Sequence, residues 1–186
     1  MTDIYFIRHS IPDLSIKDDL IRPLTNDGLN KAKDLVKIFK KIPIDIIFSS
    51  PYKRTIQTIE PIAISKKMDI NIVEDFRERK IYDWIDNFNE YSKKQWEDFT
   101  YKLENGESLS EVQIRNIQSL NKVLEKNTDK KIIIGTHGTA LSTIINYYDK
   151  TFQYNEFMKI VKIMPYIVKF EFDENRYIKR IDINME

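Results

Sequence analysis

Apolar positions along this chain alternate between strand-like runs and helix-like periods. Ile4-Tyr5-Phe6-Ile7 is a continuous apolar run that ends in Arg8, and Ile132-Ile133-Ile134 is a second that ends in Gly135. Continuous rather than alternating apolarity marks a strand buried on both faces, as in a parallel sheet covered by helices. After the first run comes a polar loop, and then the period changes to 3.6. Leu29, Ala32, Leu35, Val36 and Phe39 predict a helix capped by Thr25 and running to about residue 41, where Pro43 ends it. Residues 44–48 predict another buried strand. Residues 53–66 predict a helix in which Pro61 threatens a kink or break. Residues 70–73 predict a third, short strand.

The segment 74–105 has a different texture, with dense charge and both tryptophans, Trp84 and Trp96. We expect an irregular stretch and then a helix over about 87–103, broken by Gly106. The part at about 80–105 reads as an insert within a single domain of residues 1–186, placed to cover a site. Tyr82, Trp84 and Trp96 read as packing inside that insert. Ser108 and Glu111 form a capping box for the next helix, whose apolar positions are Leu109, Val112, Ile117, Leu120 and Leu124. A further helix follows His137-Gly138 to about residue 148. Val168, Phe170 and Phe172 then alternate with Lys169, Glu171 and Asp173, Glu174-Asn175 makes a turn, and 177–183 returns as the second arm of a hairpin. This order predicts an α/β fold: a three-layer α/β/α sandwich with a mostly parallel central sheet and an antiparallel edge.

Composition narrows the function classes. A chain of 186 residues, 41% hydrophobic and 32% charged, can bury a core and is not disordered in character. Its net charge of +1 gives no reason to expect nucleic acid or a membrane as a partner. No apolar stretch is long enough to span a bilayer, and the first residues lack the pattern of a signal peptide, so we expect a cytoplasmic protein. The chain has no cysteine, which removes disulfides, thiol nucleophiles and thiolate-held metals. The Tyr- and Phe-rich C-terminal part reads as core packing, with a homodimer face as the alternative.

Both histidines of the chain stand at predicted strand ends, in Arg8-His9-Ser10 and Thr136-His137-Gly138. In α/β sheets ligands bind beyond the carboxyl ends of the strands. Arginine forks suit phosphoryl oxygens, and Arg8 and Arg54 both follow strand ends. A neutral histidine can act as a covalent nucleophile, and a nearby carboxyl can give and take a proton. None of this needs a metal. With two histidines and no ligand-spaced cluster, we expect no metal and no cofactor.

Six segments in order carry a resemblance. These are Arg8-His9-Ser10, Pro23-Leu24-Thr25-Asn26-Asp27-Gly28, Ser49-Ser50-Pro51-Tyr52-Lys53-Arg54-Thr55-Ile56-Gln57-Thr58, Phe76-Arg77-Glu78-Arg79, Gly106-Glu107-Ser108 and Thr136-His137-Gly138. Together they resemble the histidine phosphatase superfamily, also called phosphoglycerate mutase-like, over roughly residues 4–140. The resemblance implies that His9 is the nucleophile that forms a phosphohistidine. It implies that Arg8, Arg54 and His137 hold the phosphoryl group, and that Glu78 is the proton donor, with Glu74 and Asp75 as alternatives. A backbone N–H at Gly138 or Thr139 would add an anion contact. The chain departs from the family pattern at Ser10, where glycine is usual, and at Ser15, which stands where many members have a substrate-binding asparagine. Serine lacks glycine's freedom at positive φ. Arg77, Arg79 and Lys80 read as a solvated face. The implied activity is metal-independent hydrolysis of a small phosphorylated metabolite. A mutase-like phosphoryl transferase and a silent phospho-ligand-binding module are the alternatives.

Overall fold

β1 (Thr2–Arg8) lies inside a six-stranded sheet, with every one of its residues buried. The computed structural model describes residues 1–81 and 85–184. Tyr82 and Trp84 therefore lie outside the described residues. In chain order the remaining elements are α1 (Asn26–Phe39), β2 (Ile46–Ser49), α2 (Lys53–Lys66), β3 (Ile70–Ile72), a single 3-10 turn (Glu74–Phe76), α3 (Phe88–Glu97), α4 (Leu109–Lys126), β4 (Lys131–Thr136), α5 (Gly138–Tyr148), α6 (Tyr154–Val161), β5 (Tyr166–Asp173) and β6 (Arg176–Ile183). The sheet order is β3-β2-β4-β1-β5-β6. β3, β2, β4 and β1 pair in parallel, and β5 and β6 pair antiparallel at the other edge.

The pleat sends alternate residues of each inner strand into different layers. Ile4, Phe6, Ile132 and Ile134 pack with α4, α5 and α6 through Leu120, Leu141, Ile144 and Phe157. Tyr5, Ile7, Ile47 and Ile133 pack on the opposite face with Leu35 and Phe39 of α1 and Ile59 and Ile62 of α2. This is the three-layer sandwich expected from the continuous apolar runs. Strand register then fixes the functional end. Arg8 of β1 faces Thr136 of β4, and Ser49 of β2 faces Gly135, so the residues that follow these strands emerge side by side. The His9 N–H donates to the Thr136 carbonyl at 3.1 Å, and the Ser50 N–H donates to that of Gly135 at 3.0 Å.

Local chemistry explains most boundaries. Thr25 caps α1 by accepting from the Gly28 N–H at 3.0 Å. Ser108 and Glu111 close a reciprocal capping box on α4. α2 runs unbroken from Lys53 to Lys66 through Pro61. α3 is shorter than its charge pattern predicted. Asp98 turns the chain by accepting from the Thr100 N–H at 2.9 Å and its hydroxyl at 2.6 Å, which competes with continued helix. α6 was not expected at all. It is only 8 residues long, buries Phe157 and Ile160, and opens with a Gln153–Glu156 capping box. Among the described residues no helix is long and apolar enough to cross a membrane.

The loop after His9 is clamped onto α1. The Ile11 carbonyl accepts from the Thr25 N–H at 3.0 Å, and Asp13 N–H donates to the Pro23 carbonyl at 2.8 Å. Gly28 makes this approach achievable, since a Cβ there would sit 2.4 Å from the Ile11 carbonyl oxygen. Gly28→Ala should therefore destabilise the fold by about 1–3 kcal/mol through overpacking against main chain. Alanine's better helix propensity, worth about 1 kcal/mol, works in the opposite direction. Urea denaturation monitored by circular dichroism checks the sign; a more stable variant would show that the loop yields freely.

Candidate active site

His9 follows β1 directly and lines a cavity of about 590 Å³ at the carboxyl ends of the parallel strands. Its Nδ1 lies 2.7 Å from the Ser10 carbonyl oxygen. A carbonyl only accepts, so Nδ1 carries the proton and Nε2 keeps its lone pair. Burial, then the charges of Arg54 and Arg8, hold His9 well below the usual histidine range. The side chain is thus neutral at neutral pH, as a nucleophile must be. Ser10 takes an ordinary backbone conformation, without positive φ, so serine in place of glycine costs no strain here. Its N–H donates to Thr58 Oγ1 at 2.9 Å, which anchors the turn after the histidine to α2.

His137 follows β4 and is completely enclosed. Its ring lies 5.3 Å from that of His9, edge-on. Arg54 Nη2 donates to Nδ1 at 3.1 Å, and a guanidinium only donates, so Nδ1 is the acceptor. Nε2–H then points to Ser50 Oγ at 2.7 Å and Thr55 Oγ1 at 3.2 Å. Burial, followed by the Arg54 charge, pushes this histidine far down as well. Both ring nitrogens of His137 are thus engaged by side chains, and Nδ1 ties the ring to Arg54.

Two of the expected arginines are buried and anchored at one end. Arg8 Nη1 donates to the carbonyls of Ile160, Val161 and Ile163 at 2.7, 2.9 and 3.0 Å, so it closes the C-terminal end of α6. Its Nε is buried and has no partner. The guanidinium packs against Gly138, where a Cβ would lie 3.0 Å from Nε. Burial lowers Arg8 to about 10, which still leaves it charged. Arg54 Nη1 donates to the Asp19 carbonyl at 2.6 Å and lies 3.0 Å from its carboxylate. Asp19 also pairs with Arg22 at 2.7 Å.

Of the three candidate carboxylates, the structure brings only Glu78 to the cavity. Glu74 pairs with Arg77 at the surface, and Asp75 accepts from Ser119. Glu78 sits on the N-terminus of α5. Its Oε2 accepts from the Thr139 N–H at 3.0 Å, and its Oε1 from the N–H groups of Ala140 at 3.0 Å and Arg79 at 2.8 Å. The Thr139 N–H expected to meet an anion is therefore taken by Glu78. Gly138 lines the cavity beside it. The segment that carries Glu78 is fixed from α4. Arg115 donates to the carbonyls of Asp75, Arg77 and Glu78 at 2.6, 2.9 and 3.0 Å.

Ser15 is not brought to the cavity. It lies in an exposed turn where its N–H and hydroxyl both donate to Asp13 Oδ1, at 3.0 and 2.7 Å. From the same loop, Pro12, Leu14, Lys17, Asp19 and Arg22 line the cavity instead. Sequence reasoning also missed Asp19 and Arg115, whose partners lie on other elements, and it read Arg79 as solvated although Arg79 is buried at the cavity wall. The described lining has five cationic side chains and two carboxylates, which favours an anionic ligand. Among the described residues no cluster of three or more His, Asp or Glu is arranged to hold a metal ion.

Comparison with known proteins adds a family and a fold. The sequence pattern of the histidine phosphatase superfamily (branch 1) matches residues 4–180. The chain is 30% identical over 151 residues to the uncharacterized phosphatase PhoE of Bacillus subtilis (strain 168), a match covering 78% of this chain and 76% of that one. Among solved structures, Bacillus stearothermophilus YhfR superposes with a TM-score of 0.78 at 20% identity, over 95% of this chain and 94% of that one. Phosphoserine phosphatase from Entamoeba histolytica, solved with 3-phosphoglyceric acid, gives 0.78 at 23% identity, over 96% and 94%. At these identities the structural likenesses establish the fold.

The two buried histidines give a direct titration test. An ordinary imidazole changes charge near pH ~6.5. Here both ring resonances should stay in their neutral positions in NMR spectra taken from about pH 7.5 down to about 5.5. Because each takes up a proton only on unfolding, stability should fall as pH drops below roughly 6.5, by up to about 1.4 kcal/mol per pH unit for each histidine. A histidine that titrates at its ordinary value in the folded protein would contradict the arrangement.

Proposed function

Given that this chain belongs to the histidine phosphatase superfamily (branch 1), we propose that it is a phosphatase that hydrolyses a small phosphomonoester through a phosphohistidine on His9. The observation that carries this reading is the state of His9: neutral, with Nδ1 engaged by the Ser10 carbonyl and Nε2 left as the basic nitrogen in a cation-lined cavity.

In the first step Nε2 attacks phosphorus while the ester P–O bond breaks on the opposite side. Arg8 and Arg54 neutralise the phosphoryl oxygens, and their fixed anchors mean that little reorganisation is needed when charge shifts. His137 acts through Arg54, which it holds in place. The leaving oxygen takes a proton from the Glu78 carboxyl. Each Glu78 oxygen has two lone pairs, and Oε2 accepts only one N–H bond, so a lone pair remains there for that proton. In the second step Glu78, now ionised, takes a proton from water as the water oxygen attacks the phosphohistidine. The P–N bond breaks, and inorganic phosphate and neutral His9 are released.

Metal-stripped wild-type protein should release p-nitrophenol from p-nitrophenyl phosphate, and His9→Ala should lower turnover by at least roughly a thousandfold. Brief exposure to labelled substrate followed by alkaline quench should trap label on wild type and not on His9→Ala. Undiminished turnover in the pure variant would rule out the covalent route. Glu78→Gln tests the proton donor separately. It should slow an alkyl phosphate, whose leaving oxygen needs protonation, far more than an aryl phosphate. Equal slowing of both would remove Glu78 from that role.

A further inference from the structure

Asp19 is the cavity carboxylate to which the proposed chemistry gives no part. It lines the cavity with His9 and Arg54, on the loop that joins β1 to α1. One of its oxygens, Oδ1, stands between two guanidinium groups, 2.7 Å from Arg22 Nη1 and 3.0 Å from Arg54 Nη1. Among the described residues it is the only carboxylate within ion-pair distance of Arg54. Burial lowers the pKa of Arg54, and Asp19 is the first of the charges that oppose this.

The two partners differ in how firmly they are held. The Arg54 side chain is 3% exposed, whereas that of Asp19 is 41% exposed. Arg54 is also fixed by bonds that do not involve the Asp19 carboxylate. Its Nη1 donates to the Asp19 main-chain carbonyl at 2.6 Å, and its Nη2 to His137 Nδ1 at 3.1 Å. The loop is likewise tied down without that carboxylate. Arg22 donates to the carbonyls of Ile16 and Lys17, both at 2.7 Å, and the Leu20 carbonyl accepts from the Lys53 N–H at 3.0 Å. The Asp19 carboxylate can therefore turn into water while Arg54 and the loop stay in place. A partly exposed carboxylate regains hydration when it lets go, so its side of the ion pair parts at small cost. A buried guanidinium left without an anion is costly, so Arg54 needs a negative partner at every stage.

Resting on the phosphatase reading, we propose that the Asp19 carboxylate is an internal counter-ion that a phosphoryl group displaces from Arg54, and that its return speeds the release of inorganic phosphate after each turnover. The phosphoryl group brings up to two negative charges against one, so it wins the guanidinium while it is bound. The same cations that neutralise it during transfer also hold the product. A competing carboxylate offsets that hold once the chemistry is done, and between turnovers it keeps the buried charge of Arg54 compensated.

The test is Asp19→Asn, which removes the charge but keeps the shape and the main-chain anchor. Inorganic phosphate is titrated into wild type and variant by calorimetry at fixed salt and about pH 8, where it is mainly a dianion. The variant should bind phosphate roughly tenfold more tightly, because a like charge beside the ligand is gone. Phosphate should inhibit hydrolysis of p-nitrophenyl phosphate by the variant at a correspondingly lower concentration, and KM should fall. A carboxylate that only positioned Arg54 would give the opposite sign, with weaker phosphate binding and a raised KM on substitution. Asp19→Glu keeps the charge and should bind phosphate no more tightly than wild type. Asp19→Ala, read in the same way as the asparagine variant, serves if that variant does not fold. Weaker or unchanged phosphate affinity on loss of the charge would overturn the proposal, as would equal tightening by Asp19→Glu and Asp19→Asn. Hydrolysis by the wild type is read in parallel. Tighter binding on loss of the charge, in a protein that hydrolyses no ester, would defeat the phosphatase reading and leave the displacement of Asp19 standing. Unchanged affinity in a protein that does hydrolyse would do the reverse.

Discussion

The guanidinium groups of Arg8, Arg54 and Arg79 are each more than nine-tenths buried around one cavity, and the burial of those charges governs what surrounds them. A buried cation must be met by acceptors or it destabilises the fold. Arg8 is met by main-chain carbonyls at the end of α6, which also carry the negative end of the helix dipole. Arg54 is met by Asp19 and by a neutral histidine nitrogen. Among the described residues Arg79 is met by the amide oxygen of Gln95 and by no carboxylate. The concentration of positive charge also acts on the histidines. Burial comes first among the causes that keep His9 and His137 unprotonated, and Arg54 comes second for both. The cationic lining of the cavity thus adds to burial in keeping both histidines neutral.

Glu78 illustrates the same constraint with the opposite sign. A carboxylate near several arginines would be expected to collapse onto one of them. Instead it accepts three main-chain N–H groups, two of them from the first turn of α5. Main-chain N–H groups thus hold the Glu78 side chain in place without using a guanidinium. Glu78 lines the same cavity as His9, Arg8 and Arg54. Arg115 fixes this arrangement from outside the cavity, because it binds three carbonyls of the supporting segment, at residues 75, 77 and 78.

What was legible in the sequence follows from this physics. The apolar runs at Ile4–Ile7 and Ile132–Ile134 reveal the inner strands, because burial on both faces forces continuous apolarity. The caps at Thr25 and Ser108 are visible because their bonds join residues three apart. Arg79 was not legible. In the run Arg77-Glu78-Arg79-Lys80 the three basic residues look alike, and the distinction is made by Gln95, which comes from α3. Ser15 erred in the other direction. Its spacing matched a substrate-binding position, but Asp13, two residues earlier, holds it in an exposed turn. α6 left little trace because it is short and because its service to the site, the carbonyls that meet Arg8, has no side-chain signature.

Many of the contacts that shape this cavity therefore run through main chain: the Ser10 carbonyl to His9, the α6 carbonyls to Arg8, the α5 N–H groups to Glu78 and the carbonyls of 75–78 to Arg115. Such contacts constrain where the backbone goes and leave most side-chain identities open. Two chains can then differ at most positions and still place their strands and helices alike. The superposition at 0.78 with proteins that share 20 to 23% of their residues with this one is what that principle leads us to expect. The positions with the least freedom are those where two groups approach too closely for a larger side chain, as Gly28 does under Ile11 and Gly138 does under Arg8.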